Sequence, residues 1–340
     1  MGQISPVNHS ASLATRTAAA CPPAFLAADL ERLIRGAGED VPSYFDCVAT
    51  ETIAPGTKTV IRWRRLTHDA TLNKPNIEKL VGKLFKQLID FACTRSEIAE
   101  ARRRFDEDGT AEGFSALQEK ARRLFTTSKK TGEVGEILLY FLAERLLRYP
   151  QVLCKMPHKT NPNMHAHGAD GVHASVHPSN GHLRLHWGEA KLYQSLNEAV
   201  NECCSSLAEL LLGPAEAKKT QTRDIELLRD YVDLENPDLE GAIRSYLHPD
   251  NRLSNNVEFC GLALVGFDIA DYDTFCRDFA AKKTTEVAVR ITEWSGKLQA
   301  AVEKHKLVNL TIDAFCIPFS KVQDLRNEFL RVLGVKDAGN

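Results

Sequence analysis

The sequence predicts an α/β protein built on a mixed central sheet, with a mainly helical elaboration at its N-terminus. Two observations carry this reading. Beyond about residue 130, strand-like runs and apolar-periodic helices follow the order helix, strand, strand, strand, helix, strand. Strands joined by a tight turn pair antiparallel, and strands separated by a helix pair parallel, so such an order gives a mixed sheet. The chain is also large enough, at 340 residues with 43% hydrophobic and 26% charged residues, to enclose a full core.

Taken in order, "MGQISPVNHSASLATRTAAACPPA" has neither a basic start nor an apolar core and reads as a mobile tail over residues 1–25. Pro6 stands where a myristoylation signal needs Ser or Thr. "FLAADLERLIRGAG" is an amphipathic helix ending at glycine. "SYFDCVATETI" and "KTVIRWRRLT" flank the turn residues "APG" and predict a hairpin. "NIEKLVGKLFKQLIDFAC" repeats apolar residues at helical spacing. "SEIAEARRRFDED" and "FSALQEKARRLF" predict two more helices, broken by "DGTAEG". Residues 26–130 therefore form a mainly helical region with a small hairpin.

The character then changes. "GEVGEILLYFLAERLLRY" is a strongly apolar helix stopped by Pro150, and "QVLCKM" is a short strand. "GVHASVH" and "HLRLHWGEAK" alternate as half-buried strands do, across the turn sequence "PSNG". "YQSLNEAVNECCSSLAELLL" is a long helix, followed by charged helical sequence from about 215 to 247. "VEFCGLALVGF" is a buried strand and "YDTFCRDFAAKKTTEVAVRITEWSGKLQAAVEKH" one long helix. "LVNLTIDAFCIPF" and "VQDLRNEFLRVLG" supply a last strand and helix. No internal repeat or low-complexity linker interrupts this.

Composition excludes several classes. A net charge of -2 gives no global basic field, so nucleic-acid contact has to come from local patches. Nine scattered cysteines without a C-x-x-C pair fit free thiols in a reducing cytoplasm. No apolar run reaches membrane-spanning length. There is no Walker A or Rossmann glycine pattern and no G-x-S-x-G, which leaves no sign of a small-molecule substrate.

The chemistry concentrates in "HGADGVHASVHPSNGHLRLHWGEAKLY", residues 167–193. Side chains two apart on a strand share a face. Leu183, Leu185 and Trp187 therefore continue into Glu189 and Lys191, and Val172, Ala174 and Val176 share parity with Asp170. If the two strands pair through "PSNG", Asp170 and Glu189 meet at one end of one face, and a register slip of one residue would separate them. Like charges repel, and a divalent cation gives two carboxylates a reason to converge. Magnesium, or manganese in its place, is typically held by one or two carboxylates plus phosphate oxygens. A nearby lysine then orients the attacking water or offsets transition-state charge. E-x-K alone is common on solvated strands. Here it is joined by Gly188, by Asp170 in a Gly-rich turn, and by an upstream helix carrying Glu133 and Glu136, which share a face at i and i+3.

"GEVGEILLYFLAERLL", "HKTNPNMHAHGADGVHASV" and "LRLHWGEAKLYQSLNEAV" together resemble the nuclease subunit family of the bacterial Hachiman anti-phage system, HamA, within the PD-(D/E)xK nuclease superfamily. The resemblance spans roughly residues 130 to 335 and implies a restriction-endonuclease-like α-β-β-β-α-β core, so 131–335 is expected to be a nuclease-like domain. It implies Asp170, Glu189 and Lys191 as the catalytic motif, with Glu136 as an upstream metal ligand. Metal would bind Asp170, Glu189 and Glu136. The proline of the PD motif is missing, since Ala169 precedes Asp170. The family further implies a cytoplasmic, magnesium-dependent DNase working with a large helicase subunit of the HamB kind. The alternative is a catalytically silent nuclease-like module that binds nucleic acid and regulates such a helicase.

Other polar residues are weaker candidates. Lys129 and Lys130 in "TTSKKTG", Lys159 in the turn-rich loop, and Gln194 after the strand could contact phosphate or substrate. Arg145, Arg148 and the arginines of "SEIAEARRRF" read as solvated helix faces. Seven histidines crowd between His158 and His186, yet His182 and His186 have no cysteine placed to complete zinc. The histidines are expected on the surface or on a DNA-facing side.

Overall fold

The computed structural model describes residues 23–36, 38–69, 74–125, 132–156, 169–212 and 218–335. Helix α1 (Pro23–Arg32) precedes the hairpin of β1 (Phe45–Thr52) and β2 (Thr59–Leu66), and β3 (His68–Asp69) and β4 (Lys74–Pro75) make a two-residue ladder. The helix predicted over "NIEKLVGKLFKQLIDFAC" is two: α2 (Ile77–Phe85) and α3 (Leu88–Ala92). Between them the Gln87 amide reaches back only three residues, to the Leu84 carbonyl at 2.9 Å, which tightens the turn and re-aims the chain. Helix α4 (Arg95–Asp108) starts on a Thr94–Glu97 capping box and stops at Gly109 with φ 67°, and α5 (Glu112–Leu124) follows.

The apolar helix α6 (Glu133–Leu142) runs into a wider π-type turn over Ala143–Leu147 and ends at Arg148, φ 59°, ahead of Pro150. Three strands follow, β5 (Gln151–Leu153), β6 (Gly171–Val176) and β7 (Leu183–Tyr193), then α7 (Leu196–Leu212), α8 (Lys218–Tyr231) and α9 (Pro237–Leu247). Strand β8 (Val257–Asp268) leads to α10 (Tyr272–Ala280) and α11 (Thr284–Lys304), where the sequence predicts a single helix. Lys282, at φ 55°, breaks it, because a left-handed residue cannot continue a right-handed helix. Strand β9 (Ile312–Phe319) and α12 (Val322–Leu333) complete the chain, and Gly334 at φ 79° ends α12.

The sheet has seven strands in the order β1-β2-β9-β8-β7-β6-β5. Pairs β2/β9, β9/β8 and β8/β7 are parallel, and β1/β2, β7/β6 and β6/β5 are antiparallel. The fold is thus α/β with a mixed sheet. The N-terminal hairpin is not a sheet of its own: β2 docks on β9, Thr59 opposite Ile312, and widens the central sheet. Helices α2 to α6 and α12 pack one face through residues such as Leu84, Phe91, Phe141 and Phe329. On the other face, α7, α10 and α11 cover the centre, while α1, α8 and α9 cover the β5–β7 end.

Candidate functional site

The β6–β7 hairpin closes through "HPSNGH". Gly181 takes φ 73°, the His182 amide donates to Asn180 Oδ1 at 2.9 Å, and the His177 amide donates to the His182 carbonyl at 2.8 Å. This fixes the register as Val172 opposite Trp187, His173 opposite His186 and Gly171 opposite Gly188. One step further, Asp170 faces Glu189, and its amide donates to the Gly188 carbonyl at 2.8 Å. Asp170, Val172, Ala174, Leu185, Trp187, Glu189 and Lys191 share one face. The one-residue slip that would have parted the two carboxylates does not occur.

The carboxylate of Asp170 accepts from the Ala190 amide at 2.7 Å. Glu189 is almost wholly buried and pairs with Lys191, Nζ to Oε1, at 2.6 Å. Burial, then Glu189, then Glu136, push the Asp170 pKa well above its ordinary value, against the opposing pull of the Ala190 amide and Lys191. Burial presses the Lys191 pKa down, but Glu189 and Asp170 outweigh it, and the net value is raised. Lys191 is therefore charged at neutral pH, and burial favours the protonated form of Asp170.

Glu136 joins from the first turn of α6, with Glu133 buried one turn-face neighbour away. Two glycines bring that helix in. A Cβ on Gly135 would stand 3.2 Å from the Ala190 Cβ, and one on Gly188 would stand 3.2 Å from both the Gly171 carbonyl and Leu139 Cδ2. Helix α6 packs on the Ala190–Leu192 face of β7, and Asp170 is the residue on which Glu189, Lys191 and Glu136 all act electrostatically. Among the described residues, no three His, Cys, Asp or Glu side chains converge on a common metal point.

Lys129, Lys130 and Lys159 lie outside the described residues. Gln194 is exposed just past β7, and its carbonyl accepts from the Asp268 amide at 3.1 Å. The expectation of surface histidines is wrong for two of them. His173 and His186 are fully buried: His173 Nδ1 lies 2.9 Å from the Tyr149 carbonyl, and His186 Nε2 lies 2.8 Å from Ser175 Oγ. His186 also stacks on Tyr149 at 4.2 Å. Arg145 is likewise buried and not on a solvated face, because the π-type turn rotates it inward against Gly36. The arginines of α4 do behave as a solvated face, Arg103 and Arg104 bonding Glu100.

Sequence reasoning missed Arg326. From α12 it donates to the Leu192 carbonyl at 2.5 Å and so holds the strand next to Lys191. A contact across 134 positions leaves no local signal to find it by.

A mixed-sheet α/β core with an Asp opposite a Glu-x-Lys strand defines the class of protein. Within that class, the HamA family model matches residues 42–333. The chain belongs to the HamA family, a component of the Hachiman defence system. No curated protein matches it.

Proposed function

We propose that the chain is a metal-dependent DNA nuclease of the PD-(D/E)xK type, the effector subunit of an anti-phage complex that works with a large HamB-like helicase. The observation that carries this is the hairpin register, which sets Asp170 opposite Glu189 with Lys191 on the same face. The donor chemistry suits a hard cation, since Asp170, Glu189 and Glu136 all offer oxygen ligands; burial first, and then Glu189 and Glu136, raise the Asp170 value. Those three residues would hold Mg2+, or Mn2+, which supplies positive charge against the scissile phosphodiester.

The chain's own residues set the rest. Lys191, held charged by Glu189, is a donor and not a base. It orients the attacking water and offsets negative charge developing on the phosphate oxygens. Glu189 fixes the Lys191 ammonium in place. The Ala190 amide aims the Asp170 carboxylate, and Arg326 and the Asp268 amide pin the strand end on both sides.

The test is cleavage of plasmid and linear DNA, by the protein alone and with the helicase, in Mg2+ or EDTA. Glu189→Ala and Lys191→Ala should each lower the rate about 100- to 1000-fold, the usual cost of one lost transition-state contact. Cleavage that survives either substitution, or EDTA, rules the reading out. One observation favours a second reading: Glu189 is engaged by Lys191, and no three described ligands converge. A silent module that binds nucleic acid and regulates the helicase would bind DNA and alter helicase rate, yet cut nothing in any arm of the experiment.

A further inference from the structure

Resting on the nuclease reading, we infer that Tyr193 is a base-stacking platform at the mouth of the site and that the substrate is presented there as an unpaired, single-stranded segment of DNA. Tyr193 is the third member of the Glu189, Lys191, Tyr193 row on one face of β7. Its ladder position opposite Phe267 fixes it as strand, not loop. Its neighbours on the opposite face, Ala190 and Leu192, are buried, whereas Tyr193 is 36% exposed, one of few large apolar side chains left in solvent.

The backbone beneath it is anchored twice. The Leu192 carbonyl accepts from Arg326 at 2.5 Å, and the Gln194 carbonyl accepts from the Asp268 amide at 3.1 Å. The ring therefore stands on a rigid base two residues beyond the lysine, near enough to couple electrostatically to Lys191 and to Arg326. An exposed aromatic close to two cations suits a nucleotide: its base stacks on the ring and its phosphate meets the positive charge. A base paired within a duplex offers no free face, so the platform selects unpaired strands.

The test measures binding of a short single-stranded oligonucleotide, and of the same sequence annealed to its full complement, in Ca2+ and in EDTA. Cleavage in Mg2+ is measured alongside. Stacking one base contributes roughly 1–3 kcal/mol, so Tyr193→Ala and Tyr193→Leu should each weaken single-strand binding about 5- to 150-fold and leave duplex binding little changed. Tyr193→Phe and Tyr193→Trp, which keep a π-face, should bind as the wild type does. In cleavage the loss should appear in KM, with kcat nearly unchanged. Wild-type affinity in Tyr193→Leu, an equal loss in Tyr193→Phe, or equal weakening on both DNAs overturns the proposal. The two failures are separable. Cleavage persisting in Lys191→Ala sinks the nuclease reading whatever Tyr193 does, whereas wild-type single-strand affinity in Tyr193→Leu sinks the stacking platform alone.

Discussion

Asp170 and Lys191 are both shifted upward by their surroundings, and the shifts have opposite meanings. For a carboxyl, a folded value above the unfolded one means that ionisation costs stability at neutral pH, and the cost fades as pH falls through the raised value. Asp170→Asn keeps an acceptor for the Ala190 amide and removes the charge. In EDTA it should melt above the wild type at neutral and alkaline pH, and the gap should close on acidification. A gap that widens instead contradicts the assigned direction. His173 and His186 run the other way. Burial lowers them to about 4 and about 3, so their contribution is whole above the ordinary histidine value of 6.5 and is lost as pH falls toward those values. Urea midpoints should therefore drop below pH 6.5 (taken from that value), and His173→Gln with His186→Phe should flatten the drop. The Asp170 effect has to be read as a difference from the wild type, because the histidines titrate on the same acid limb.

At the scale of elements, the site depends on how closely α6 lies on β7. Gly188 sits where the helix and the β6 backbone both approach to 3.2 Å of an added Cβ. Gly188→Ala should destabilise the protein by about 1–3 kcal/mol, the usual cost of overpacking, measured as a shift in urea midpoint. It should lower cleavage by more than stability alone explains, since α6 carries Glu136. An unaffected midpoint would show that the helix can back away freely. Much of the hairpin was legible beforehand: period-two alternation gives the two faces and "PSNG" gives the turn, while the register stayed conditional until the strands were seen to pair. The breaks at Gln87 and Lys282 were not, because periodic apolar residues continue across both and only packing against neighbours decides where the chain turns.

At the scale of the molecule, residues before 131 share the central sheet and the core. Strand β2 pairs with β9, and the Arg35 amide donates to the buried Glu144 at 3.0 Å. Residues 131–340 expressed alone should accordingly fail to give a cooperative thermal transition, since β9 would lose one of its two partners and α6 the helices α2 and α3 that pack on it. A cooperative melt from that fragment would show that the hairpin is dispensable.

The sequence by itself determined the α/β class and the order of elements beyond residue 130, and it placed Glu189 and Lys191 on one strand face. All three follow from short-range periodicity and turn chemistry, whereas the register that sets Asp170 opposite Glu189 came from the paired strands. The tertiary structure alone decided the strand order, the burial of His173, His186 and Arg145, and the anchoring of the strand end by Arg326. Those depend on contacts between residues as far apart as Arg62 and Asp313, which pair at 2.6 Å across 251 positions. No local pattern encodes a partner at that distance, because only the packed core brings the two residues within reach.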